Sequence, residues 1–215
     1  MTAKCGYAET QAVGAPYSLQ YVKQTPFGTL GAVALPAGLQ SVPPEVIQTL
    51  EVETQALASA LPGRRQIEFT GGRLAYQHVM QALGHAAPCL KSGERREPLA
   101  PAGWSVSITH KEDLALCLVA PAAQGSLGID LEGDGRDRMR IAPRVLRPEE
   151  LAEVEALPPS QQWPRVLLAF AVKEATYKAI HPHLQRYVGF EEARVTLDAA
   201  GAPGVTLLAR EGEPR

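Results

Sequence analysis

Long apolar runs are missing from this chain: the longest, Leu114 to Ala123, contains Pro121 and covers only about half a bilayer span. No basic, apolar, small-residue leader opens the sequence, so neither a membrane-spanning nor an exported protein is expected. An excess of charge of one sign is also missing. The 21 Lys and Arg stand against 23 Asp and Glu, a formal net charge of −2, which excludes a generally basic nucleic-acid binder. Cysteine is scarce: Cys5, Cys89 and Cys117 lie far apart, with no CxxC pair or His–Cys cluster. That leaves no structural zinc site and points to reduced cytoplasmic thiols. Proline and glycine do not gather into a low-complexity tract, and no repeat of solenoid period is present. The GxSxG elbow, the GxxxxGK(S/T) phosphate loop and HExxH are all absent, so the common hydrolase, P-loop and zincin readings have no support.

What is present is an ordinary globular composition, 45% hydrophobic and 20% charged, over 215 residues. That is enough for one sizeable domain or two small packed halves. The charge is distributed unevenly. Residues 64–97 hold Arg64, Arg65, Arg73, Lys91, Arg95 and Arg96 against Glu68, Glu94 and Glu97, and carboxylates gather from Asp130 onward. Cations followed by carboxylates can build a site for a phosphate-bearing ligand and its metal, or they can be solvated faces.

Hydrophobic spacing predicts a helix over Glu45 to Leu61 and a second over Gln66 to Leu83, with Arg64 and Arg65 at or just before its first turn. An anion there would also meet unpaired backbone N–H groups. Trp104 to His110 alternates strictly and predicts a strand. Leu114 to Ala120 predicts a second, after a tight turn from His110 to Asp113, and Leu127 to Glu132 a third. Further on come a helix opened by Pro148-Glu149-Glu150 and a longer helix from Pro164 to about Ile180, stopped by Pro182. Strands over Ala193 to Leu197 and Gly204 to Ala209 finish the chain. Helix-plus-strands appears twice, which predicts an α+β protein of two halves, 1–121 and 122–215.

Three places carry candidate chemistry. In the GIDLE segment, Asp130 and Glu132 are two apart, so on a strand both carboxylates point to one face, where they need a cation or a proton. The alternative is the polar side of an edge strand. An EF-hand loop is excluded, because Asp130, Glu132, Asp134 and Gly135 would require a bidentate Glu where Ile141 stands. On the long helix, Glu174 and Lys178 are i,i+4 with Lys173 beside them, a pattern that an exposed helix pair produces equally well. Thr109 and His110 end a strand and can donate to a phosphate, or His110 can be a simple exposed cap.

Taken in order and at these separations, the segments resemble the 4'-phosphopantetheinyl transferase superfamily. The matching stretches are RRQIEFTGGRLA at 64–75, EPLAPAGWSVSITH at 97–110, GIDLE at 128–132 and FAVKEATYKA at 170–179 with YVGFEEARV downstream. The closer likeness is to the longer, pseudo-dimeric, enterobactin-synthetase-like type that serves nonribosomal peptide and polyketide synthases. The resemblance implies two similar α/β halves in a pseudo-two-fold relation, with the site at their junction. It also implies Mg²⁺-dependent transfer of phosphopantetheine from coenzyme A to a serine of an apo carrier protein, with release of 3',5'-ADP. Asp130, Glu132 and Glu174 would hold Mg²⁺, with Mn²⁺ as a substitute, and Glu174 would also activate the serine. Lys178 and Lys173 would contact phosphates and stabilise the leaving group. Arg64, Arg65, Arg73, Thr109 and His110, with Lys91 and Arg96, would hold the coenzyme A phosphates.

The chain departs from the family pattern at three points: Thr109 stands where Ser is frequent, FAVKEA replaces F-S-x-KEA, and Leu99-Ala100-Pro101 lacks an aromatic. No proposed ligand is lost. A monomer is expected, with carrier docking on Met139 to Leu146. The rival readings are a non-catalytic coenzyme A or carrier-binding module and a magnesium-dependent phosphodiesterase.

Overall fold

A computed structural model describes residues 16–93, 97–135, 137–184, 186–198 and 200–208, and among them lie two long helices, one four-stranded and two two-stranded antiparallel sheets. The chain divides into two compact units, Met1–Ile129 and Asp130–Arg215. Arg95, Arg96 and Cys5 lie outside the described residues, as does Ala209, the expected end of the last strand. Among the described residues no helix is long and apolar enough to cross a membrane.

The first unit is built on a four-stranded sheet of order β1-β2-β6-β5, formed by β1 (Ser18–Thr25), β2 (Gly28–Ala34), β5 (Trp104–Lys111) and β6 (Leu114–Pro121). All three pairings are antiparallel. The expected hairpin is present, but its turn is shorter than the sequence suggested. Lys111 pairs with Leu114, so only Glu112 and Asp113 form the loop, with Glu112 at φ 50°. The β1–β2 hairpin is an addition to the sequence reading. Between β2 and β5 lie α1 (Pro44–Ile47), α2 (Val52–Ser59), α3 (Gly63–Ala82) and the two-residue strands β3 (Lys91–Ser92) and β4 (Pro98–Leu99). The helix expected over Glu45 to Leu61 is therefore two pieces. Leu50 is buried in the break, and α2 buries Thr54 and Ala58 while leaving Val52 77% exposed. Val46 and Leu50 of the expected stripe are in the core, and Leu57 is 40% exposed.

Helix α3 covers the sheet at very short range, and its sequence explains how. A Cβ at Gly71 would come within 2.1 Å of Leu35 Cδ2, and one at Gly72 within 2.8 Å of Ile108 Cγ2. On the sheet side, a Cβ at Gly31 would meet Val79 Cγ2 at 2.6 Å. Glycine in mid-helix costs about 1 kcal/mol against alanine, and the close approach offsets that by letting Ile67, Leu74, Ala75 and Val79 bury against β2 and β6. Gln66 fixes the start of the helix: its amide donates to Ala58 O (3.0 Å) and accepts from Val42 N (2.8 Å). Gly71→Val is expected to destabilise the protein by about 1–3 kcal/mol through overpacking, measured as a lower urea midpoint at unchanged slope.

The second unit contains α4 (Ala142–Val145), α5 (Pro148–Glu155), α6 (Pro159–Leu184) and the hairpin β7 (Ala193–Leu197) with β8 (Pro203–Leu207). Its core joins Val145, Leu146, Val154, Trp163, Val166 and Val195. α6 is longer than expected at both ends. It begins at Pro159, and Pro164 and Pro182 both fall inside it. Each proline removes one helical hydrogen bond, yet the buried stripe of Trp163, Val166 and Ala169 holds the helix through Pro164. The expected third strand is not formed: residues 127–132 belong to no ladder. The backbone N–H of Ile129 instead donates to Ser107 Oγ at 3.0 Å. The overall class is α+β, as the sequence predicts.

Candidate functional site

In the second unit, α6 presents Glu174 and Lys178 one turn apart, and Lys178 reaches out of the helix to the GIDLE segment. Its Nζ donates to Asp130 Oδ1 at 2.6 Å, with the Asp130 side chain 9% exposed. The exposed i,i+4 helix pair is thus not what forms. Glu174 is half-buried, and its carboxyl is pushed above the usual range, first by burial and then by the charge of Asp130, with Glu132 adding and Lys178 opposing. Three carboxylates therefore share one electrostatic neighbourhood even though Asp130 and Glu132 lie on no strand. Among the described residues no group of three His, Cys, Asp or Glu is assembled as a metal centre. Lys178 stands at Asp130 as its counter-charge. The donor set itself, three hard carboxylate oxygens, suits Mg²⁺ or Mn²⁺.

A cavity of about 230 Å³ opens beside Glu174 in the same unit. Tyr177 and Ile180 of α6 form one wall, and Tyr187, Val188 and Phe190 form another. It is mostly apolar, with Glu174 and Lys173 among its lining residues.

Lys173 differs from the sequence expectation. It falls in register with the buried stripe of Trp163, Val166 and Ala169 and is 3% exposed. Its ammonium donates to Glu150 Oε2 (2.6 Å), Val145 O (2.9 Å) and Phe190 O (3.0 Å). Three donors meet three acceptors inside the unit, so Lys173 is not placed to contact a phosphate. Desolvation pushes its pKa down, with Glu150 opposing that shift. In the sequence, Glu150 signals only the start of a helix. Its position three residues into α5 signals half of a capping box, but nothing local announces its burial.

In the first unit, Arg64 and Arg65 occupy the first turn of α3. Arg64 pairs with Glu68 (3.2 Å). Arg65 Nη1 donates to His110 Nε2 at 3.1 Å, and His110 Nδ1 lies 3.6 Å from Glu68 Oε2. A guanidinium offers only donors, so Nε2 accepts and Nδ1 carries the proton. The result is a cationic cluster that retains several guanidinium donors, suited to a phosphate. Thr109 and His110 alternate along β5 and so lie on opposite faces of that strand: His110 is on the α3 side with Ile108, and Thr109 is 5% exposed with Ser107 on the other.

Arg73 also departs from expectation. It is 6% exposed, lies 4.5 Å over the Phe69 ring and donates to Ser92 Oγ at 3.1 Å. Burial lowers its pKa to about 10. It braces α3 against β3 rather than presenting its charge outward. Lys91 is exposed and pairs with Glu53 at 3.6 Å; Arg96 lies outside the described residues.

The second unit thus holds acidic side chains beside a lysine, and the first unit a guanidinium–imidazole cluster. Comparison with known proteins makes the class specific. Residues 52–120 match the 4'-phosphopantetheinyl transferase N-terminal domain, and residues 126–215 match the 4'-phosphopantetheinyl transferase superfamily. The chain is 32% identical over 177 residues to 4'-phosphopantetheinyl transferase Npt of Nocardia iowensis, covering 76% of this chain and 75% of that protein. It is 34% identical over 183 residues to PptT of Mycobacterium tuberculosis, another 4'-phosphopantetheinyl transferase, covering 80% and 78%. It is 31% identical over 137 residues to enterobactin synthase component D of Salmonella typhi, covering 62% and 55%. The chain belongs to the 4'-phosphopantetheinyl transferase superfamily and is a transferase.

Proposed function

We propose that this protein moves the 4'-phosphopantetheine group of coenzyme A onto a serine of an apo carrier protein. The observation that carries the site assignment is the 2.6 Å contact of Lys178 Nζ with Asp130 Oδ1, which joins the turn of α6 that carries Glu174 to the GIDLE segment. The serine oxygen attacks the phosphorus that bears pantetheine, and the bond from that phosphorus to the bridging oxygen breaks. 3',5'-ADP departs, and the serine proton passes to Glu174. Lys178 stabilises charge on the leaving oxygen. Asp130, Glu132 and Glu174 would hold Mg²⁺ or Mn²⁺, which when bound neutralises the diphosphate and the charge developing during transfer.

Arg65 and His110, with Arg64, take the coenzyme A phosphates, the 3'-phosphate among them; Lys91 is proposed as a further contact, whereas Thr109, buried on the face of β5 opposite His110, is not. The apolar cavity beside Glu174 suits the slender pantetheine arm. Each unit sets one long helix with antiparallel strands, which supports reading them as the two similar halves of the longer family type. The likeness to an enterobactin synthase component supports carriers of peptide or siderophore assembly. We read the protein as a cytoplasmic monomer.

Carrier docking falls on Met139 to Leu146. Arg140 and Arg144 are exposed there, while Ala142, Val145 and Leu146 anchor the segment in the core. Acidic carriers would meet that cationic surface. Arg140→Glu or Arg144→Glu is expected to raise KM for the carrier about tenfold, more at low salt; unchanged transfer to every carrier removes the surface. The function is tested by incubating the protein with Mg²⁺, coenzyme A and a panel of apo carriers from peptide, polyketide and fatty-acid systems, read by intact mass. At least one carrier gains one phosphopantetheine; no gain on any carrier overturns the reading.

A further inference from the structure

Glu150 and Lys173 are a buried charge pair that no step of the transfer uses. Removing two charges from water is costly, and such a pair is weak evidence for stability in itself. The partners of this pair are more informative than its charge. Lys173 holds Val145 O at the end of α4 and Phe190 O in the loop before β7. Glu150 accepts from Arg147 N (2.7 Å) and from Val195 N of β7 (2.6 Å). Two neighbouring contacts act on the same loop: Glu192 accepts from Gly189 N at 2.9 Å, and Arg147 donates to Glu191 O.

The loop held in this way supplies Tyr187, Val188 and Phe190 to the cavity, and Lys173 is the residue next to Glu174. We propose that Glu150 and Lys173 are positioning residues: they tie the turn of α6 that carries Glu174 to the loop forming the facing cavity wall. Resting on the transferase reading above, this fixes the spacing between the base and the pantetheine arm. The pair acts through that spacing and touches no phosphate. A lysine alone could not do this, because its charge would be buried without a partner. Glu150 supplies the counter-charge and a second anchor at β7.

The test separates positioning from phosphate binding. Losing one partner strands a buried charge, whereas an apolar pair of similar volume is commonly tolerated. The informative variants are therefore the double Glu150→Leu/Lys173→Met and the isosteric single Glu150→Gln, compared with wild type. Three quantities are read on each: kcat for an apo carrier that the wild type modifies, Kd for 3',5'-ADP by calorimetry, and amide exchange across Val188 to Phe190. Expected are a fall in kcat of about 10- to 100-fold, faster exchange in that loop, and a Kd for 3',5'-ADP within about twofold of wild type. Wild-type kcat in the double variant overturns positioning. A tenfold weaker Kd for 3',5'-ADP overturns it too, and returns Lys173 to the phosphates. If the wild type modifies no carrier, the transferase reading fails instead; the loop exchange still reports on the tie itself.

Discussion

Glu174→Gln is expected to abolish transfer and, in the same protein, to raise its thermal midpoint at neutral pH. The loss of activity follows from the two roles proposed for this one carboxylate: proton acceptor for the serine and oxygen donor to the cation. General-base catalysis alone contributes about 10²–10⁴-fold, so kcat should fall at least that far. The gain in stability follows from the raised carboxyl. A carboxyl whose folded pKa lies above its unfolded value binds its proton more tightly when folded. Stability is then highest below the ordinary carboxylate range and falls as pH rises through the folded value. Above that value the wild type carries the full penalty of a buried charge facing Asp130 and Glu132, and glutamine removes it.

The variant should therefore melt higher than wild type at pH 8 without metal, and the difference should shrink as pH falls below the ordinary carboxylate range. Mg²⁺ should stabilise the wild type, because its charge offsets the repulsion, and should stabilise the variant much less. Scanning calorimetry at several pH values, with and without Mg²⁺, checks this. A variant that melts no higher at pH 8, or that keeps wild-type turnover, contradicts the role given to Glu174. The pattern is the usual conflict at a working site, where the arrangement that performs chemistry is not the most stable one.

Arg65→Ala is expected to act on the other side of the reaction, raising KM for coenzyme A while leaving kcat nearly unchanged. Arg65 donates to His110 and keeps guanidinium donors for a phosphate. Charge-assisted hydrogen bonds contribute about 1.5–3 kcal/mol each, which corresponds to about a 10- to 150-fold rise in KM. A group that holds the 3'-phosphate, as proposed for Arg65, rather than the reacting phosphorus contributes about equally to ground and transition states, so the effect belongs in KM. Arg65→Lys should recover part of the loss, since an ammonium keeps the charge but not the planar fork. Steady-state kinetics with coenzyme A varied at saturating carrier tests both. A fall in kcat with KM unchanged would move Arg65 out of the binding role.

How much of this was legible beforehand depended on whether the signal was local. β5, β6, α3 and α5 carry local signals: strict alternation from Trp104 to His110, an apolar run from Leu114 to Ala120, helical spacing from Gln66 to Leu83 and the Pro148-Glu149-Glu150 opening. β1 and β2 were missed. Ser18 to Thr25 is an edge strand with a register irregularity between Leu19 and Tyr21, so its alternation is broken. The GIDLE segment reads as a strand and is none, because the Ser107 hydroxyl takes the Ile129 N–H in place of a ladder. Among the site residues, Asp130, Lys178 and Glu174 are close in the fold, but their pairing differs from the helix pair that spacing alone suggests. Lys173 is the clearest lesson. Its chemical type suggested a phosphate, whereas its place on the Trp163, Val166, Ala169 stripe already pointed inward. Its partner Glu150, 23 residues earlier, is a tertiary fact that no local pattern carries.

The most direct measurement is the release of 3',5'-ADP from coenzyme A in three parallel reactions: no carrier, an apo carrier, and the same carrier with its acceptor serine changed to alanine. Transfer as proposed predicts release only with the serine-bearing carrier, one 3',5'-ADP for each carrier that gains phosphopantetheine. Equal release without a carrier or with the alanine form would show hydrolysis of the diphosphate, and would contradict the transferase mechanism.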